Sequence, residues 1–161
     1  MRVFRDILAR SALAALFLLS VSVASLAADV SFERGKLRLL TSGGRVHDLT
    51  VELAVEPDQR EQGLMHRRQM APDHGMLFDF GETRRVMMWM RNTYLPLDML
   101  FIAEEGTVRT IHENAVPLSE AIIDSEEPVA FVLELNAGTV QRLGIRLGDR
   151  ITGARIPAGA R

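Results

Sequence analysis

Asp98 and Glu134 are the residues of this chain best suited to acid–base chemistry. In the run Leu97-Asp98-Met99-Leu100-Phe101-Ile102, a two-residue period sets Asp98 on the face of Leu100 and Ile102, opposite Leu97, Met99 and Phe101. Both faces of such a strand are apolar, so burial of Asp98 is expected. In Val129 to Asn136 the same period groups Glu134 with Ala130, Val132 and Asn136. A buried carboxyl group must be paired, hydrogen-bonded or neutral. One reading is an acid/base pair of a hydrolase or lyase, which requires the two carboxyls to lie within about 5 to 9.5 Å. The other is a charge held by Arg60, Arg91 or backbone N–H groups to fix the fold. The second is favoured, because structural ion pairs outnumber catalytic ones.

Methionine is the other unusual feature. Met65, Met70, Met76, Met87, Met88, Met90 and Met99 fall in one span that also holds the single tryptophan, Trp89, with His66 and His74. Thioethers, an indole face and an imidazole could hold Cu(I). Methionine is also ordinary core filler that packs irregular gaps and aromatic rings. Alternation along a strand from Val86 to Arg91 would part Met88 and Met90 from Met87 and Trp89. A metal site would have to draw Met65 or Met76 onto the face of Met88 and Met90, and the expectation is that neither goes there. No metal or other cofactor is therefore expected. His47 and His112 stand apart with no ligand spacing, and the chain has neither a nucleophile elbow nor a glycine-rich phosphate loop.

The elements that must position these residues read mostly as strands. Lys36 to Thr41, a Ser42-Gly43-Gly44 turn, and Arg45 to Val55 form a hairpin in which Val51, Leu53 and Val55 alternate with Glu52, Ala54 and Glu56. Pro57 to Gln62 reads as a short helix, with proline in its first turn and Gly63 as its stop. Further strands are expected over Gly75 to Phe80, Val86 to Arg91, Leu97 to Ala103, Val108 to Glu113 and Val129 to Asn136. A second helix, Thr139 to Leu143, ends at Gly144, and a last strand runs near Arg150 to Gly153. Short strands at this spacing predict a mainly β, compact antiparallel barrel or sandwich with two short helices.

The N-terminus reads as an export signal. Arg2, Arg5 and Arg10 face one acid, Asp6, and the uncharged stretch Ser11 to Val23 follows, then Ser25-Leu26-Ala27. A positive segment, an apolar core and small residues are what a signal peptidase cuts, here between Ala27 and Ala28. An uncleaved anchor is the rival, since the apolar run approaches the roughly 18 residues that span a bilayer. The run is interrupted by serine and ends in small residues, which favours cleavage. Residues 1–27 are thus a signal peptide, 28–44 a lead-in with the first hairpin strand, 45–153 one β-rich domain and 154–161 a tail. The expected location is periplasmic or secreted.

Cleavage leaves one domain that buries roughly two-thirds of its unfolded surface. With no cysteine in the chain, neither disulfides, thiol catalysis nor lipid attachment is available. The chain has 19 basic and 21 acidic residues, and the signal removes three and one, leaving 16 against 20. Such a domain lacks the positive field that holds nucleic acid or an anionic membrane. Arg67-Arg68 and Arg84-Arg85 read as solvated loop charges.

Arg60-Glu61-Gln62-Gly63-Leu64-Met65, Gly75-Met76-Leu77-Phe78, Trp89-Met90-Arg91-Asn92-Thr93, Pro96-Leu97-Asp98, Phe101-Ile102, Leu133-Glu134-Leu135-Asn136-Ala137-Gly138 and Gly148-Asp149 follow one another along the chain. In that order they resemble the uncharacterised family known as domain of unknown function 192, over about residues 45 to 153. The resemblance implies a compact β-rich domain, often exported in bacteria, with no assigned reaction. It sets Arg60, Trp89, Asn92, Asp98 and Glu134 on motif positions, with Met65, Met76 and Met90.

Each of these has a structural reading as well, with Trp89 in the core and Asn92-Thr93 in a side-chain-bonded turn. The five are nevertheless expected to line one polar, aromatic-walled pocket, as small-ligand sites do. The sequence therefore describes a binding or accessory module of the cell envelope, its partner a small molecule or envelope component. The alternatives are a hydrolase or lyase on an envelope polymer through Asp98 and Glu134, and a Cu(I) carrier.

Overall fold

Leu37 and Leu39 on β1 (Glu33–Leu40) meet Leu49, Val51 and Leu53 on β2 (Val46–Ala54) across an antiparallel hairpin. All five are buried, as the alternation requires. The computed structural model, in which this hairpin begins the sheet, describes residues 30–158, so the signal segment lies outside the described residues. After β2 come α1 (Pro57–Gln62), β3 (His74–Arg84), β4 (Met87–Met88), β5 (Leu97–Ile102), β6 (Val108–Ala115), β7 (Ile123–Asp124), β8 (Val129–Asn136), α2 (Thr139–Leu143) and β9 (Arg150–Gly153).

Both helices occupy the residues that their caps predict. Pro57 stands in the first turn of α1, and Gln59 Oε1 accepts the N–H groups of Val55 and Glu56 at 2.9 and 3.0 Å. The last strand and β8 also match their expected bounds. One expected strand does not form as drawn. Val86 to Arg91 is extended only at Met87 and Met88, which pair with Asp124 and Ile123 of β7. Beyond them the Met90 N–H leaves to Ser119 O (2.9 Å), and Thr93 N–H closes a turn back to Met90 O. Backbone donors spent on a loop cannot continue a ladder, so alternation fails here.

Seven strands form one sheet in the order β6-β5-β8-β3-β2-β1-β9, and β4 and β7 form a separate ribbon. The mainly β fold with two short helices is therefore present, as a curled seven-stranded sheet. Five of its six neighbouring pairs are antiparallel. The sixth, β2 with β3, is parallel, because the connection through α1 carries the chain back before β3 starts. The curl brings the outermost strands together at one end. Val108 N–H donates to Asp149 O, Gly148 N–H to Val108 O and Ile151 N–H to Gly106 O, at 2.8 to 2.9 Å. Gly106 sits at this seam with φ +90°, and a Cβ on it would lie 2.2 Å from the Ile151 carbonyl oxygen.

Two apolar clusters follow from the curl. One takes side chains from all seven strands and fills the inside, with Leu77, Leu100, Leu133, Leu135 and Ile151 at 0% exposure. The other lies on the outer face of β3, β5 and β8, where Met76, Phe78, Met99, Phe101 and Val132 are covered by Leu64, Val86, Met90, Leu95 and Ile123. An antiparallel sheet with both faces covered explains why β5 and β8 read as unbroken apolar runs.

Candidate functional site

On β8, the side chains of Val132 and Glu134 point to the outer face. Glu134 stands in register between Met76 of β3 and Met99 of β5, both fully buried. Only 4% of Glu134 is exposed. Burial pushes its carboxyl up to about 8, and its side chain makes no hydrogen bond among the described residues. At neutral pH this side chain is a carboxylic acid with one proton to donate.

Above Glu134 opens a cleft of about 370 Å³, walled by Phe78 and Phe80 of β3, by Leu64 and Met65 after α1, and by Met87, Met88 and Trp89 around β4. Arg60, Arg84, Arg91, Glu61 and Thr93 supply its other polar groups. The guanidinium of Arg91 lies 4.5 Å from the centre of the Trp89 ring, and that of Arg84 lies 4.8 Å from Phe80. Arg60 also faces Phe80, at 5.9 Å, while its Nη1 donates to the carbonyl oxygens of Val55 and Asp79. Arg84 Nε also lies 3.5 Å from a Glu82 carboxylate oxygen, and its Nη1 donates to Arg85 O at 3.4 Å. Arg91 Nε is buried and has no hydrogen-bond partner among the described residues.

Of the five residues expected to share a pocket, Arg60, Trp89 and Glu134 line this cleft. Trp89 is 44% exposed, so its placement in the core is corrected. The local reason is the short β4, which leaves the tryptophan on a loop with Arg91 packed on its ring. Asn92 stands beside the cleft, its Nδ2 3.9 Å from Met65 Sδ. Its backbone takes φ 56° in the turn closed by Thr93, and its carbonyl accepts the His66 N–H at 2.9 Å. Thr93 Oγ1 adds a bond to Arg91 O, so the expected side-chain-bonded turn is present.

Asp98 is not part of this site. It pairs in register with Leu135 on the inner face, whereas Glu134 pairs with Met99 on the outer one. Asp98 is fully buried and its two oxygens accept the backbone N–H groups of Asn114 (3.0 Å) and Val140 (2.9 Å). Glu113 and Asn114 bulge opposite Asp98, and Val140 is the second residue of α2. Its role is thus to tie β5 to the bulge of β6 and the start of α2, and an acid/base pair with Glu134 is excluded.

The methionines divide differently from the strand-based expectation. Met65, Met87 and Met88 line the cleft together, and Met76, Met90 and Met99 are core. Met65 therefore joins Met88, because loop geometry and not alternation sets the segment after β4. His66 packs edge-on against Tyr94 and His74 bonds to Asp73, both outside the cleft. Among the described residues no cluster of three or more His, Asp or Glu could hold a metal. Phe80, Arg84 and the β7 support were missed. Continuing the alternation of Met76 and Phe78 to Phe80 would have found the first.

No curated protein matches the chain. Among solved structures, a Sinorhizobium meliloti 1021 protein given the working description of transcription regulator is 77% identical, with a TM-score of 0.77 over 79% of this chain and 98% of that one. A protein of unknown function from Novosphingobium aromaticivorans DSM 12444 is 34% identical, with a TM-score of 0.70 over 73% of this chain and 83% of that one. The model of the family described as uncharacterized ACR matches residues 38–153. By that match, carried on the β-sheet and the cleft over Glu134, the chain belongs to the domain of unknown function 192 family.

Proposed function

We propose that this protein is a small-molecule binding or accessory module of the cell envelope, working through the cleft over Glu134. The observation that carries the reading is a buried carboxyl group lining an aromatic-walled cleft, without a hydrogen-bond partner among the described residues. A polar group buried without a partner costs stability that a purely structural position would shed. A ligand that accepts a hydrogen bond from the carboxyl O–H removes the mismatch. The envelope location draws on the N-terminal signal pattern.

The hydrolase reading loses its second carboxyl with Asp98 on the inner face. Transcription control, the description attached to the Sinorhizobium protein, would find no recognition helix among the described residues, whose two helices have six and five residues. Soft-metal carriage has one observation in its favour, the meeting of Met65, Met87 and Met88 at the cleft. Titration with Cu(I) against a competing chelator tests it: weak, non-stoichiometric uptake is expected, and a one-to-one complex lost in Met88→Leu would replace the present reading.

Native mass spectrometry of protein purified from its own envelope fraction tests the main proposal. A retained small molecule, one per chain and lost in a Trp89→Ala variant, is the expected result. A protein found only in the cytosol and carrying nothing would overturn it.

A further inference from the structure

The cleft also carries a sign of charge. Arg60, Arg84 and Arg91 line it with two acids, Glu61 and the buried Glu134, and Arg84 also pairs with Glu82 at 3.5 Å, in a chain whose acids outnumber its bases. A concave, partly desolvated site concentrates such a field. Arg60 contributes field alone, because backbone carbonyls hold it in place. Arg91 is different: its guanidinium lies 4.5 Å from the centre of the Trp89 ring, and its Nε is buried with no acceptor among the described residues. A guanidinium N–H left in that state loses free energy that an acceptor on a ligand restores. Glu134, which lines the same cleft, offers a donor rather than a charge.

We propose that the ligand is a small organic acid, whose carboxylate pairs with the Arg91 guanidinium and accepts a hydrogen bond from the Glu134 carboxyl O–H, and whose apolar body lies against Phe78, Phe80 and Trp89. This rests on the cleft being a ligand site at all. The two cationic and donor groups both ask for an anionic acceptor. Methionines 65 and 88 supply an adaptable apolar wall that suits a body without further polar groups. A cation meets three guanidinium groups and a neutral acid, and a neutral alcohol leaves the Arg91 charge unanswered. Above about pH 8 Glu134 ionises and repels the bound carboxylate, so affinity falls there.

The only tryptophan of the chain lines the cleft, so its fluorescence reports binding directly. Mature protein is titrated at pH 6.5 with phenylacetate and hexanoate, with phenethylamine and hexylamine, with the matching alcohols, and with inorganic phosphate. At least one acid should saturate the signal at one per chain and bind at least tenfold tighter than its amine, its alcohol or phosphate. Arg91→Met should weaken that acid at least tenfold, and Arg84→Met, on the exposed rim, should weaken it less while keeping the native melting temperature. If an amine, an alcohol or phosphate binds as tightly as the acids, the organic-acid assignment is wrong and the binding-module reading survives. If neither acid binds while native mass spectrometry retains another molecule, the same conclusion holds. If nothing binds and nothing is retained, both fall.

Discussion

Asp98 and Glu134 sit one register step apart on adjacent strands and face opposite sides of the sheet. Because side chains alternate along a strand, two carboxyls offset by one position cannot serve one site, however close their backbones. Each has its own environment. Asp98 accepts hydrogen bonds from two backbone donors, and Glu134 is buried without a hydrogen-bond partner among the described residues.

Replacing Asp98 should therefore damage the fold and spare the cleft. Asp98→Ala leaves the Asn114 and Val140 N–H groups without acceptors in a dry interior, at about 1 to 3 kcal/mol for each. A loss of about 2 to 6 kcal/mol in urea unfolding is expected, with Trp89 fluorescence and ligand affinity of the folded variant unchanged. An unaltered stability would show that Asp98 does not tie β5 to β6 and α2.

Periodicity made this much legible before any coordinates. The bounds of α1, α2, β8 and β9 follow from proline, glycine and apolar runs, whose effects are local. The burial of Asp98 and Glu134 was readable in the same way. Their separation was not, because the register of β5 against β8 depends on pairing between strands distant in sequence. Met87 to Met90 misled for a related reason: a residue's face is defined only where a ladder exists, and here the partner is the two-residue β7. Arg60, Trp89 and Glu134 were recovered as cleft residues, whereas Arg84 looked like a solvated loop charge until Phe80 was seen beneath it.

The seam between β6 and β9 should be the most sensitive backbone position outside the core. Gly106→Ala combines a positive φ with a Cβ driven into the Ile151 carbonyl, so Ile151 N–H and Gly106 O must part. A loss of roughly 2 to 4 kcal/mol is expected. Hydrogen exchange should rise at Val108 and Ile151 and stay slow on β8. A neutral effect would mean that the two edges open freely.

Export should remove the first residues of the chain. Arg2, Arg5 and Arg10 before an uncharged stretch, with Ser25-Leu26-Ala27 after it, direct the cut to the bond before Ala28. N-terminal sequencing of periplasmic protein should start at or near Ala28. A chain retaining Met1 in the membrane fraction would instead establish an anchor.

Glu134 gives the fold an unusual pH dependence whose sign can be worked out. Its carboxyl ionises near 4.5 when exposed and at about 8 in the folded chain. Between those values the unfolded chain has lost the proton and the folded one keeps it, so rising pH favours unfolding. Stability from this group is highest below pH 4.5, declines through the interval and levels off above 8. At pH 7 the penalty is on the order of 3 kcal/mol, since each unit of displacement is worth about 1.4. Glu134→Gln keeps the shape and removes the titration, so it should be more stable than the parent at pH 7 by up to about 3 kcal/mol. The gain should shrink towards pH 4.5, where both chains hold a neutral side chain. Urea unfolding at several values between pH 4.5 and 8.5 measures it. Parallel curves for the two proteins would mean that Glu134 is ionised in the fold, and the donor assigned to the cleft floor would be lost with it.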